Sequence, residues 1–205
     1  IWTTIGLRDI YSKLGDFNKA EQCYKEARLL KDTLEMKTTS IDASLNLRSG
    51  DFMSASEYFS SQGSYTGEAV SSLRIAEILM QKGNHDSAMI YLDQADEKFR
   101  AAGNREGVTN VLLHKGHILV DMGNFSAARP LLDSASGAAD FPETVWQAWF
   151  QLGRMYEESY RDEEAVESYR NSISVIEKIR GNLTIDEFKT TYFDSKREVY
   201  DRLLR

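Results

Sequence analysis

The sequence predicts an all-α chain built as a solenoid of repeated helix pairs, and three observations carry that expectation. The 205 residues are rich in helix formers and hold two prolines, Pro130 and Pro142, so few places interrupt a helix. A short phrase recurs along the chain at a near-constant interval. Between its copies, apolar residues follow the i, i+4, i+7 spacing of one helix face.

The phrase reads Lys13-Leu14-Gly15-Asp16-Phe17-Asn18-Lys19-Ala20, then Arg48-Ser49-Gly50-Asp51-Phe52-Met53-Ser54-Ala55. It returns as Gln81-Lys82-Gly83-Asn84-His85-Asp86-Ser87-Ala88 and as Asp121-Met122-Gly123-Asn124-Phe125-Ser126-Ala127-Ala128. A worn fifth copy runs Glu158-Ser159-Tyr160-Arg161-Asp162-Glu163-Glu164-Ala165. Equivalent alanines stand 35, 33, 40 and 37 residues apart. The Gly suits a helix end with positive φ, and the Asp or Asn after it suits the cap of the next helix. The aromatic plugs the junction and the Ala admits a close helix neighbour. Four positions on, Tyr24, Phe59, Leu92, Leu132 and Tyr169 point inward, followed in three copies by Ala27, Ala95 and Ala135.

The first helices keep the same phase. Trp149-Phe150-Gln151-Leu152-Gly153-Arg154-Met155-Tyr156 places Trp, Leu-Gly and Tyr on one face; Ile75-Ala76 with Leu79, and Gly116 with Leu119, repeat the pattern. The whole run, residues 1–180, resembles a tetratricopeptide repeat (TPR) array, whose period is about 34 residues. The resemblance implies a right-handed α-solenoid of about five helix pairs. The expected helices run over 2–14, 17–33, 36–48, 52–61, 68–81, 85–101, 106–121, 125–137, 143–158, 162–180 and 185–204. Ser60–Gly67 and Gly103–Gly107 are read as loops. A continuous solenoid has no interior boundary, so 1–180 is one domain and 181–205 a capping or junction helix.

That last segment carries Phe188, Tyr192, Phe193, Val199, Tyr200, Leu203 and Leu204 on a helical period. With Ser172-Ile173-Ser174-Val175-Ile176-Glu177-Lys178-Ile179-Arg180 before it, the stretch 165–205 is similar to the junction joining TPR repeats to CHAT domains, caspase-like cysteine peptidases, in many bacterial proteins. The resemblance implies a peptidase beyond Arg205 and none of its catalytic residues within this chain.

Composition narrows function further. Lys and Arg number 25 against 32 Asp and Glu, a net charge of −7, which disfavours general nucleic-acid binding. No apolar run reaches the ~18 residues of a membrane span. One cysteine, Cys23, forms no internal disulfide, and a cytoplasmic location is expected. Cys23 has no paired base in sequence, and His114 with His117 offers two metal ligands without a third. The acidic clusters Asp93–Glu97 and Asp162–Glu164 read as solvated faces. The chain is therefore expected to be no enzyme and to need no cofactor or metal.

What remains is a binding surface. In TPR arrays the first helix of each pair lines a concave groove, which by resemblance implies Ile5, Asp9, Leu73, Glu77, Met80, Leu113, His117, Val120, Asp121, Phe150, Arg154 and Glu157 as partner-binding residues. Family members that clamp a chaperone's acidic C-terminus use Lys and Asn early in the array and Lys and Arg later; Ile5, Asp9, Leu73 and Glu77 stand at comparable places here, so that activity is disfavoured. An apolar, net basic protein or peptide segment is the expected partner. The expected role is a regulatory or sensor arm gating an attached peptidase; the alternative is a stand-alone adaptor or oligomerisation scaffold.

Overall fold

In the computed structural model, which describes residues 10–11, 19–23, 25–26, 29, 52–182, 192 and 196–204, one turn design sets the helix lengths. At residues 82–84 the Lys82 amide donates to Ile78 O (3.1 Å), Gly83 to Met80 O (2.9 Å) and Asn84 to Leu79 O (2.9 Å). The last bond is the six-to-one closure of a Schellman ending and needs a left-handed residue before it; Gly83 provides φ 71°. The Asn84 side chain then accepts from the Ser87 amide at 3.2 Å and caps the following helix.

Gly63, Gly103 and Gly123 repeat this turn with φ of 63°, 64° and 70°. Ser64, Asn104 and Asn124 act as the caps. In the worn copy, Tyr160 holds the glycine position at φ 58°, and Arg161 still closes onto Tyr156 O at 2.9 Å. The turn therefore survives loss of its preferred residue, at the cost of a non-glycine left-handed backbone.

Between these turns lie α1 (Phe52–Ser61), α2 (Tyr65–Gln81), α3 (His85–Ala101), α4 (Arg105–Asp121), α5 (Phe125–Ser136), α6 (Pro142–Glu158), α7 (Asp162–Gly181) and α8 (Arg197–Leu203). The described residues at 10–11, 19–23, 25–26 and 29 are helical. The expected helices over 2–14, 17–33 and 36–48 otherwise lie outside the described residues. Ser60–Gly67 and Gly103–Gly107, read as loops, are tight turns, and α2 begins at Tyr65 because Ser64 caps it. The unbroken helix expected over 185–204 is also corrected: Lys196 is a turn residue, and α8 starts after it. The acidic run Asp162–Glu164 occupies the first turn of α7, where negative charge complements the helix dipole.

Each helix packs on its sequence neighbours, as tetratricopeptide-like repeats do, and α2–α4 and α4–α6 also touch. Ala20, Ala55, Ala88, Ala128 and Ala165 are all buried, as are Leu92, Leu132 and Tyr169. Small residues set the helix spacing: a Cβ at Gly107 would overlap the Phe99 ring and one at Gly153 the Tyr169 ring. No described helix is long and apolar enough to cross a membrane.

Candidate binding groove

The contacts among α2, α4 and α6 make these three helices one continuous wall, joined by polar bridges. His114 Nε2 lies 3.4 Å from Glu77 Oε1, linking α4 to α2. Arg154 Nη2 donates to Asp121 Oδ1 at 2.9 Å, linking α6 to α4. The Thr144 hydroxyl meets Asn110 Oδ1 at 2.5 Å. Such cross-repeat bridges hold one register between successive pairs while leaving the apolar positions free to pack.

Two adjoining cavities of about 470 and 490 Å³ open on this wall and share Glu77, His114, Gln147 and Lys196. The first is also lined by Met80, His117, Asp121, Trp146, Phe150 and Val199; the second also by Val70, Leu73 and Leu113. The lining thus mixes apolar surface with carboxylates and imidazoles, a combination suited to an amphipathic segment.

The charges in the groove are tuned by their neighbours. Burial alone would raise the Glu77 carboxyl, but the hydrogen bond from His114 and the charge of Arg74 hold it below its ordinary value. Burial pushes the His117 imidazole down to about 4; Asp121 opposes this, while Arg154 and the other histidines add to it. His117 is therefore neutral near pH 7, although its Nε2 lies 3.4 Å from Asp121. Burial lowers the Lys196 ammonium, against the pull of Glu143. That ammonium sits 4.7 Å from the Trp146 ring centre and 5.2 Å from that of Tyr192.

The residues expected in the groove divide into distinct groups. Glu77, Met80, His117, Asp121 and Phe150 line the first cavity, and Leu73 and Leu113 the second. Arg154 bridges to Asp121. Glu157 accepts from the Tyr169 hydroxyl at 2.6 Å and from Arg202 at 3.0 Å. Val120 is fully buried and belongs to the core instead, because it faces α5 and α6 packing. Phe150 is mostly buried too, with its ring centre 5.8 Å from that of Tyr169. Ile5 and Asp9 lie outside the described residues.

Sequence reasoning missed His114, Trp146, Gln147, Lys196 and Val199. Two were within reach: Trp146 stands one turn before Phe150, and His114 one turn before His117. Lys196 and Val199 carried no such signal, since only tertiary packing brings the carboxy-terminal segment to the groove. Of the acidic cluster read as solvated, Asp93 meets Lys115 at 2.6 Å and Asp96 meets Arg100 at 2.9 Å. Cys23 is buried. Among the described residues, no group of three or more His, Cys, Asp or Glu side chains is placed to hold a metal ion.

Two family models, both described as tetratricopeptide repeat, match this chain, one over residues 113–173 and the other over residues 1–31 and 69–97. The first match takes in α5 and α6 whole, the second half of α4 and the first half of α7; the second takes in most of α2 and α3. No curated protein matches the chain.

Proposed function

The chain is a tetratricopeptide repeat array, and from that premise we propose that it is a protein-interaction module whose groove, walled by α2, α4 and α6, takes an apolar segment of net basic character. Repeats of this kind are protein-binding surfaces. The observation that carries the reading here is the 470 Å³ cavity, where the array combines Met80, Trp146 and Phe150 with Glu77 and Asp121. With His117 held neutral, the array presents the carboxylates of Glu77 and Asp121 beside these apolar side chains. Apolar anchors then supply most of the affinity, while the carboxylates speed association with a basic partner.

Surface plasmon resonance on a recovered partner, at two salt concentrations, tests the reading. Glu77→Lys should slow association and flatten its salt dependence. Met80→Ala should speed dissociation by an amount equal to ~1 kcal/mol. If both variants bind as the wild type does, the groove is not the docking site.

A finer reading extends this one: the array serves as the regulatory arm of a cytoplasmic bacterial protein and gates an attached caspase-like peptidase, while itself having no catalytic role. The likeness of residues 165–205 to a TPR–CHAT junction supports it. Partner binding gates an enzyme only if it favours one arrangement of the junction over another. The parent gene beyond the Arg205 codon tests this: a caspase-like module with His and Cys supports it, and a stop codon leaves the adaptor or scaffold reading. A hydrolase screen on the chain tests the absence of intrinsic activity.

A further inference from the structure

The carboxy-terminal segment does more than cover the last helix. Tyr192 and Val199 are 1% and 2% exposed, and both join the core around α6 and α7. Three carboxylates of the array each accept a hydrogen bond from a donor on the segment. The Tyr192 hydroxyl reaches Glu143 at 3.3 Å, the Tyr200 hydroxyl reaches Glu177 at 2.6 Å, and Arg202 reaches Glu157 at 3.0 Å. The Lys196 ammonium lies over the Trp146 ring. Glu143 also accepts from the indole N–H of Trp146 at 2.8 Å, which fixes the ring that Lys196 covers. Lys196, Glu198 and Val199 line the same cavity as Glu77 and His117, so the segment reaches the inner wall of the array.

We propose that the groove carries its own occupant: Tyr192 and the stretch from Lys196 to Leu203 cover the α6 end as an intramolecular ligand, and a partner competes with them by presenting the same chemistry. That chemistry is an aromatic hydroxyl, an ammonium four residues on and an aliphatic side chain three further, the spacing of Tyr192, Lys196 and Val199. The proposal deepens the groove-docking reading and rests on it. Competition follows from linkage: a tethered occupant reduces the apparent affinity of any rival by the fraction of molecules in which the site is open.

The test uses the full chain and, as probe, a fluorescent peptide copying residues 189–204. Fluorescence anisotropy should find the peptide binding at least ~10-fold more tightly to the double variant Lys196→Ala, Val199→Ser than to the wild type, because the tethered copy has been weakened. Lys196→Ala alone should give an intermediate gain. Should the double variant lose its cooperative melting transition, hydrogen exchange on the wild type decides instead. Excess peptide should speed exchange of the amides of residues 197–203 by displacing the tethered segment. Equal affinity for wild type and variants, or unchanged exchange under excess peptide, overturns the proposal while leaving groove docking intact. A peptide that binds none of the chains also overturns it. The groove reading itself is judged separately, by the Glu77→Lys and Met80→Ala kinetics with a recovered partner.

Discussion

Helices α2 and α6 occupy equivalent places two repeats apart and are both 17 residues long, yet five residues of α2 are buried against ten of α6. By helix register the extra five on α6 are Val145, Gln151, Leu152, Met155 and Tyr156, of which Gln151 lines the first cavity; the inner faces differ in what covers them. Glu77 and Met80 of α2 border open space, whereas Trp146 of α6 lies beneath Lys196 and packs in the same core as Tyr192 and Val199. A first helix in such an array buries one stripe against its pair-mate and offers the other to whatever comes. At α6 something has already come, and it is the chain itself.

The largest expected effect sharpens that contrast directly. Trp146→Ala should destabilise the chain by ~3–5 kcal/mol, whereas Met80→Ala, at a half-buried residue lining the α2 side of the first cavity, should cost ~1 kcal/mol. Chemical denaturation of the two variants measures both. Near-equal losses would mean that the two inner faces are covered alike.

Next in size is the alanine that seats one helix on another. Ala88 on α3 is fully buried, so Ala88→Leu should overpack the contact with α2 and cost ~1–3 kcal/mol. An unchanged melting temperature would count against the register.

That register was legible because its determinants are local. A Gly followed by Asn or Ser closes one helix and caps the next within five residues, and within pairs the alanine five positions after the glycine marks the buried stripe. The Gly-cap part of that signal also stood between pairs, at Gly63-Ser64 and Gly103-Asn104, and reading those stretches as loops overlooked it. Gly63, Gly83, Gly103 and Gly123 fall every 20 residues, which gives helices of 17 residues and a local pair length of 40 rather than about 34. The groove was legible only in part. Glu77, Met80 and His117 follow from helix phase, but Val120 shares much of that phase and is buried. The contribution of Lys196 and Val199 depends on where a segment some fifty residues from Trp146 folds back, and local periodicity holds no record of that.

The turns provide a smaller test. Tyr160 is 93% exposed with a left-handed backbone at the place where Gly123 stands one repeat earlier. Tyr160→Gly should therefore stabilise the chain by ~1 kcal/mol, the left-handed penalty less the added chain entropy of glycine. Thermal melting would register it as a rise of a few degrees. A fall would mean that the Tyr160 side chain contributes more than its exposure suggests.

An effect of similar size, read through pH, separates the α4 portion of the wall from the rest. Burial holds His117 at about 4, below the ~6.5 of an unfolded histidine. The unfolded chain then binds more protons between those values, so this contribution is intact above pH 6.5 and is lost as the pH falls toward 4. Arg154, His114 and His85 reinforce the depression and Asp121 opposes it. The loss should be ~1–2 kcal/mol, discounted because the imidazole is 33% exposed. His117→Asn should flatten the melting-temperature profile over that range, and an unaltered profile would assign the acid sensitivity elsewhere.

The claim that a partner enters by the inner wall is tested most directly by hydrogen exchange on the full chain with and without a recovered partner. Slowed exchange should concentrate in α2, α4 and α6, with α3, α5 and α7 unchanged. Protection confined to α3, α5 and α7 would contradict the account and move the docking site to the opposite face of the array.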